Sequence, residues 1–210
     1  MEQVSRLKDY WEREYERTDT PFDIEAPDEW VAGLQKEGRI HGNVLDAGCG
    51  PGRTSLYLAD QGFNVLGIDI SHNAIERAKQ KAAERRSSAR FLQADVCELP
   101  GCDNSFDTVI DIGCLHSLFD ENARRKYAAM LHRVCRDGAA VYVRAISDTN
   151  RKRANYPAGR GLPALSAEQI RDAFAEGWIV DDLIEKEIDL LTDNGEIKKA
   201  HCRFAHIRRV

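Results

Sequence analysis

Short apolar runs alternate with helical patterns through the middle of this chain, and this alternation limits the possible fold more than any other feature. The runs are apolar on both faces, as in strands that helices cover from both sides. Parallel strands joined by right-handed helical crossovers produce this pattern. The sequence therefore predicts an α/β fold with a doubly wound, mostly parallel sheet. The predicted parallel strands are residues 44–46, 65–68, 91–94, 106–110 and 139–143.

The N-terminal region has a different pattern. Residues 4–17 place apolar and aromatic side chains at helical spacing, which predicts an amphipathic leader helix. A proline-containing loop follows and leads to a second predicted helix over residues 29–35. We expect the 210 residues to form a single domain. Residues 1–40 would be an N-terminal helical lid and residues 41–210 the core.

The C-terminal region also departs from the central alternation. Two strand-like runs, 178–190 and 197–210, flank Asp193-Asn194-Gly195 and predict an antiparallel hairpin. A short capped helix is predicted before them, from Ser166 to Ala175. Prolines and glycines interrupt residues 148–165, which we interpret as a loop without regular structure.

Charge and hydropathy exclude several classes of protein. The net charge is -5 and the pI is about 5.7, so a general nucleic-acid binder is disfavoured. No window resembles a membrane span or a signal peptide. The six cysteines are scattered and form no C-x-x-C pair, so we predict reduced thiols and no metal site. We expect a cytoplasmic protein that is a monomer or a homodimer and binds neither nucleic acid nor membranes.

Three closely spaced glycines follow the first predicted strand, just before a helix begins: Gly48, Gly50 and Gly52. Glycine permits positive φ and lets a ligand lie against main-chain N–H groups near the positive end of a helix. A plain tight turn is the alternative interpretation. The G-x-G-x-G spacing differs from the G-x-G-x-x-G of dinucleotide-binding folds, so a nicotinamide-dependent oxidoreductase is the weaker hypothesis.

Acidic residues end the next two predicted strands. Asp69 lies about 20 residues beyond the glycines, where a carboxylate accepts hydrogen bonds from both ribose hydroxyls. Asp95 follows the third strand, where it could accept a hydrogen bond from an adenine amino group. The carboxyl ends of parallel strands meet at one edge of the sheet. The pattern therefore indicates a nucleoside ligand at that edge.

Four segments, residues 44–71, 91–96, 105–111 and 131–138, together resemble the class I S-adenosylmethionine-dependent methyltransferases. The resemblance implies a seven-stranded sheet with an antiparallel last strand, a turn at Arg136-Asp137-Gly138 before strand five, and S-adenosylmethionine across the carboxyl ends of the first half. S-adenosylhomocysteine would be the product.

The resemblance also implies roles for single residues. Asp46 and the backbone of Gly48 and Gly50 would hold the methionyl part, in a turn that Gly52 completes. For Asp46 and Asp111, a helix-capping or turn role stays open. The remaining implied contacts are Asp69 with the ribose, Ile70 with the adenine ring, Asp95 and Val96 with its amino edge, and Asp111 near the sulfonium.

The leader, residues 10–15 and 19–24, resembles that of the thiopurine and tellurite-resistance methyltransferase branch, in which it folds over the cofactor. Trp11, Tyr15 and Phe22 would then be aromatic walls that exclude water, with ordinary core packing as the alternative. In similar enzymes a histidine shortly after strand four faces the methyl group. His116 is therefore the candidate catalytic residue, with local packing as the alternative.

The predicted function is methyl transfer to a small molecule through a sulfur, oxygen or nitrogen nucleophile. The loop over residues 148–165 would cover the substrate, and its basic residues 151–153 would either receive an anionic substrate or be solvated. A module that binds the cofactor without chemistry is the main alternative. An RNA or protein methyltransferase is disfavoured by the acidic charge and the lack of an added recognition domain.

Overall fold

A computed structural model shows a single seven-stranded sheet with helices on both faces. The described residues are 2–17, 20, 23–152, 164–191 and 196–210. The helices are α1 (Glu2–Glu16), α2 (Glu29–Lys36), α3 (Arg53–Asp60), α4 (His72–Arg85), α5 (Glu121–Val134) and α6 (Ala167–Ala173). The strands are β1 (Asn43–Ala47), β2 (Asn64–Asp69), β3 (Arg90–Gln93), β4 (Phe106–Ile112), β5 (Cys135–Ile146), β6 (Trp178–Leu191) and β7 (Ile197–Arg209).

The strand order across the sheet is β3-β2-β1-β4-β5-β7-β6. Strands β1 to β5 pair in parallel, and β7 runs antiparallel between β5 and β6. The predicted doubly wound sheet with its antiparallel C-terminal hairpin is therefore confirmed. The strand order reverses between β1 and β4, which is where open α/β sheets bind their ligands, beyond the carboxyl ends of the strands.

Two hydrophobic clusters cover the two faces of the sheet. One includes Leu131 of α5 and Phe174, just after α6, and the other includes Val31 of α2 and Leu56 of α3. Because both faces are covered, β1 is buried from Val44 to its end, which is the physical origin of the unbroken apolar runs in the sequence.

Side-chain caps set where several helices begin. The Asp28 carboxylate accepts hydrogen bonds from the backbone N–H groups of Trp30 and Val31 at the start of α2, and the Ser71 hydroxyl accepts one from Ala74 in α4. These two caps lie at the carboxyl edge of the sheet or beside it.

The structure corrects two details of the sequence analysis. The turn predicted at Arg136-Asp137-Gly138 lies inside β5, where Gly138 has φ +77° and the register with β4 shifts between Phe106 and Thr108. Residues 148–152, predicted to lack regular structure, form a short 3-10 helix.

Some predictions lie outside the described residues: the position of Phe22, the part of the predicted substrate loop from residue 153 to 163, and the hairpin turn at 193–195. In the described part of the chain, no helix combines the length and the apolar character that a membrane crossing requires.

Candidate active site

The glycine turn begins where β1 ends and closes back on the neighbouring strand. The backbone N–H groups of Gly48 and Cys49 both donate to the Ile68 carbonyl of β2 at 2.9 Å. Gly48, Gly50 and Gly52 have φ values of +71°, +52° and +86°, a region that favours glycine. The local sequence folds this way because only glycine takes three such angles in five residues without strain.

The three glycines differ in what lies against them. A Cβ on Gly48 would be 2.8 Å from the Cβ of Cys114, and one on Gly50 would be 2.7 Å from the hydroxyl of Tyr15. A Cβ on Gly52 would instead meet the Phe91 ring at 2.8 Å. The first two positions therefore face groups of the carboxyl edge, whereas Gly52 lets α3 begin close to the strand beside it.

Asp69, at the end of β2, is tied to the glycine turn. One carboxylate oxygen accepts a hydrogen bond from the Gly50 N–H at 2.9 Å, and the other accepts one from the Ser71 N–H at 2.9 Å. Burial raises the pKa of Asp69 to about 6, against the lowering effect of these hydrogen bonds. A buried carboxylate thus lies beside the turn, as the ribose assignment requires.

Two more buried acids, Asp46 and Asp111, lie close enough for their charges to interact and shift the pKa of Asp46. The Asp46 carboxylate accepts a hydrogen bond from the Ser55 hydroxyl at 2.6 Å, and burial raises its pKa to about 7, with further increases from Asp69 and Asp111. Burial also raises the pKa of Asp111 to about 7. Such a group of acids favours a ligand with positive charge, because the ligand would stabilise the ionised forms.

Asp111 also organises the turn after β4. Its carboxylate accepts hydrogen bonds from the Cys114 N–H at 2.8 Å, the Leu115 N–H at 3.0 Å and the Tyr127 hydroxyl at 3.0 Å. The turn role that the sequence left open for Asp111 is therefore present.

The residues predicted to contact adenine lie after β2 and β3. Ile70 is half-buried, and its carbonyl accepts a hydrogen bond from the Gln93 side chain at 3.0 Å. The Asp95 carboxylate accepts one from the Cys97 N–H at 2.8 Å, and Val96 is buried in the core. Asp95 thus shapes its own turn, and its adenine contact stays a prediction.

The leader helix α1 lies over the glycine turn. Tyr15 is buried against Gly50, and Trp11 stacks on Tyr15 with ring centroids 5.7 Å apart. Burial and the Asp69 carboxylate raise the pKa of Tyr15 well above its ordinary value, so the hydroxyl stays protonated. Tyr15 therefore contacts the turn directly, whereas Trp11 reaches it through Tyr15.

Three attachments of the N-terminal segment could not be predicted from the sequence. Glu12 accepts hydrogen bonds at the start of α4, and Asp28 accepts one from Arg144 of β5 at 2.6 Å while it caps α2. Arg53 donates to the Ala26 and Pro27 carbonyls. The sequence shows these as ordinary charged residues, because their partners are far away along the chain.

His116 lies in the short 3-10 helix Leu115–Ser117 just beyond β4. Its ring packs over Gly113, whose N–H donates to the Arg144 carbonyl at 3.0 Å. His116 is 8% exposed, and its Nδ1 has no hydrogen-bond partner among the described residues. Burial and the Arg144 guanidinium lower the pKa of His116 to about 4, so the imidazole is neutral at pH 7.

The carboxyl edge thus brings together the glycine turn, three buried acids, Tyr15 and the neutral His116. The residues fit S-adenosylmethionine, whose sulfonium and ammonium groups are cationic and whose ribose requires paired acceptors. The fit rests on the geometry of Asp69 beside Gly50 and on the burial of the acids.

Comparison with known proteins agrees with this geometry. Residues 44–138 match the methyltransferase domain family. An uncharacterised methyltransferase of Schizosaccharomyces pombe is 45% identical over 120 residues, which are 57% of this chain and 82% of that protein. The 2-heptyl-1-hydroxyquinolin-4(1H)-one methyltransferase of Mycobacteroides abscessus is 35% identical over 189 residues, which are 86% of this chain and 81% of that enzyme.

A solved structure extends the similarity to nearly the whole chain. It comes from work on the conversion of a disulfide bond into a thioacetal group during echinomycin biosynthesis. The two chains are 35% identical and superpose with a TM-score of 0.84 over 97% of this chain and 92% of the other. The leader and the C-terminal hairpin are therefore part of the shared architecture.

Proposed function

The chain belongs to the class I S-adenosylmethionine-dependent methyltransferases, and on that premise we propose that it methylates a small molecule at an acidic hydroxyl group, such as the N-hydroxyl of a heterocycle. The observation that carries the proposal is the pair of groups at the carboxyl edge: a leader that closes over the glycine turn, and a buried neutral histidine beside it.

The attached leader supports a small acceptor. Tyr15 lies on Gly50, and the Asp28–Arg144 ion pair at 2.6 Å joins the start of α2 to the end of β5. Both contacts lie at the edge where the acceptor would enter, so a polymer would have to displace them. The net charge of -5 gives no attraction for nucleic acid, which argues in the same direction.

The Mycobacteroides abscessus relative supports a hydroxyl acceptor, since its named substrate carries a hydroxyl on a ring nitrogen. S-adenosylmethionine supplies a methyl group on a cationic sulfur, whose charge disappears on transfer. The protein then has to align the acceptor oxygen and exclude water. Burial of Tyr15 against the turn serves the second requirement.

His116 would orient the acceptor. The neutral imidazole can accept a hydrogen bond from the acceptor hydroxyl, and the hydroxyl proton passes to its unprotonated nitrogen as the oxygen–methyl bond forms. A base with a pKa of about 4 is mismatched with a phenol of pKa near 10 by about six units, or roughly 8 kcal/mol. An acidic hydroxyl, which gives up its proton more readily, lowers this barrier.

Sulfur is the second candidate nucleophile, because the echinomycin work concerns a disulfide and its protein matches 97% of this chain. A thiol has a reference pKa near 8.5 and needs little help from a base.

We also propose that the chain belongs to the thiopurine and tellurite-resistance branch, as residues 10–15 and 19–24 suggest. We propose for it the single-domain division into a lid, residues 1–40, and a core, residues 41–210.

The test is turnover of S-adenosylmethionine with 2-heptyl-1-hydroxyquinolin-4(1H)-one as probe, beside a panel of phenols and small thiols, with the methylated product identified by mass spectrometry. We expect the N-hydroxyl compound to be methylated faster than the phenols. His116→Ala should lower kcat about a hundredfold for hydroxyl acceptors and far less for thiols. Its cofactor affinity should stay within about twofold.

The matched control is His41→Ala, because His41 is exposed and precedes β1 at the opposite edge of the sheet. It should leave turnover unchanged. Full activity of His116→Ala with the N-hydroxyl probe would remove this residue from the mechanism. Faster methylation of thiols than of every hydroxyl compound would favour the sulfur candidate.

A further inference from the structure

We propose that Glu12 is a positioning residue that couples the leader helix to Asp69 and holds the leader closed over the bound cofactor. The proposal rests on the assignment of Asp69 to the ribose. It adds a residue that neither the glycine turn nor the strand ends would indicate.

The Glu12 carboxylate accepts hydrogen bonds from residues at the start of α4. One carboxylate oxygen accepts hydrogen bonds from the Ser71 hydroxyl at 2.8 Å and the Asn73 N–H at 3.1 Å, and the other accepts one from the His72 N–H at 2.7 Å. The Asn73 side chain donates in return to the Glu12 carbonyl at 3.2 Å. Four hydrogen bonds thus join one residue of α1 to three consecutive residues.

These contacts continue directly into the cofactor site. Ser71, which binds Glu12 through its hydroxyl, donates its backbone N–H to Asp69 at 2.9 Å. The other Asp69 oxygen accepts from Gly50, on which Tyr15 lies. The leader therefore reaches the same carboxylate by two routes, through the Glu12–Ser71 hydrogen bond and through the Tyr15–Gly50 contact.

The electrostatics favour this attachment. The first N–H groups of a helix carry partial positive charge and lack partners within the helix, so a carboxylate there is stabilising. Burial alone would raise the pKa of Glu12, but hydrogen bonds from Asn73, His72 and Ser71, with the charge of Lys8, lower it below its ordinary value. Glu12 is therefore ionised at neutral pH.

The leader depends on such contacts. An isolated helix of about 15 residues is marginal in water, and α1 has 15 residues. Its docking on α4 therefore decides how long it stays over the glycine turn. Loss of the Glu12 contacts should let α1 open more often and lose its contacts with the bound cofactor, which speeds cofactor escape more than it speeds cofactor entry.

The experiment measures the binding of S-adenosylhomocysteine to the full-length chain by calorimetry and its dissociation by stopped-flow fluorescence, in which Trp11 on the leader contributes to the signal. Glu12→Ala should weaken binding about tenfold, mainly through faster dissociation. Glu12→Gln, which keeps an acceptor oxygen but not the charge, should recover part of the loss. The matched control is Glu16→Ala, because Glu16 is exposed on the next turn of the same helix.

Further measurements separate this role from a purely structural one. The melting temperature of Glu12→Ala without ligand should lie within a few degrees of that of the parent chain. The Asp69→Ala and Glu12→Ala losses should be less than multiplicative in the double variant, because both act through the Ser71 link. Equal dissociation rates for Glu12→Ala and Glu16→Ala would overturn the proposal, as would multiplicative losses. If Asp69→Ala alone binds normally, the ribose assignment itself is wrong.

Discussion

The two halves of the carboxyl edge are built in different ways. The half formed by β1, β2 and the glycine turn is made by residues close together in the sequence: Gly50 and Asp69 are joined by a hydrogen bond across 19 positions. The half formed by β4, β5 and the Asp28 cap of α2 is made by distant residues. Asp28 and Arg144, which are 116 positions apart, meet in one ion pair.

This difference explains why the cofactor could be predicted and the acceptor could not. Backbone conformation and strand ends create the half that is proposed to bind the cofactor, the cofactor half, and both leave a pattern in the sequence. Side-chain contacts between remote elements create the acceptor half, and these leave no local pattern. Substitutions in the first half should therefore change cofactor affinity, and those around His116 should change turnover.

The largest expected effect tests the backbone of the cofactor half. Gly50→Val should abolish measurable binding of S-adenosylmethionine, a loss of more than about a hundredfold, because the new side chain enters the space beside the turn. The fold should survive, since the neighbouring group is the far end of the Tyr15 side chain. Calorimetric titration measures the affinity and circular dichroism the fold.

The control for that variant is Gly38→Val. Gly38 also has positive φ, at +69°, but a Cβ there would meet nothing within 4 Å. Normal cofactor binding by Gly38→Val together with loss in Gly50→Val separates close approach from backbone strain. If Gly50→Val binds normally, the glycine turn is a plain turn after all.

A smaller effect is expected at Asp69, which is proposed to bind the ribose through its side chain. Asp69→Ala should weaken S-adenosylmethionine binding tenfold to a hundredfold, because hydrogen bonds to charged groups contribute about 1.5–3 kcal/mol each. The comparison variant is His116→Ala, in the other half, which should bind the cofactor as the parent chain does. Similar affinity losses in both variants would contradict the division between the two halves.

The smallest expected effect concerns stability. Burial raises the pKa of Asp46 from 3.8 to about 7, so the folded chain holds more protons than the unfolded chain between these values. The free energy of unfolding therefore falls as the pH rises through this range, and the penalty is complete above pH 7. His116, with its lowered pKa, acts in the opposite direction only below about pH 6.5.

Asp46→Asn should consequently raise the melting temperature of the cofactor-free chain at pH 8 by several degrees, since each kcal/mol is worth roughly 2–4 °C at this size. The gain should shrink at pH 6, where Asp46 is already mostly protonated. Cofactor affinity should fall at the same time. Scanning calorimetry at pH 6 and pH 8 measures the effect, and an unchanged or lower melting temperature at pH 8 would show that Asp46 is not strained by its burial.

The sequence by itself determined the architecture and the cofactor. Apolar runs with helices between them predict a parallel sheet that helices cover on both faces, because this arrangement buries both sides of each strand. The antiparallel hairpin is predicted by two long strand-like runs that flank a turn. Gly48, Gly50 and Asp69 could be proposed as binding residues because this proposal depends on φ angles and strand ends. Asp137-Gly138 was interpreted as a turn because the sequence does not show the bulge that keeps it within β5.

Only the tertiary structure decided which distant residues meet at the carboxyl edge. Glu12, Asp28 and Arg144 are indistinguishable in the sequence from the other charged residues, which make up 31% of the chain. Their contacts arise because folding brings a carboxylate to a helix N-terminus or to a half-buried guanidinium. The neutral state of His116 is decided in the same way, since burial and Arg144 set its pKa, and neither is a property of the residues beside it in the chain.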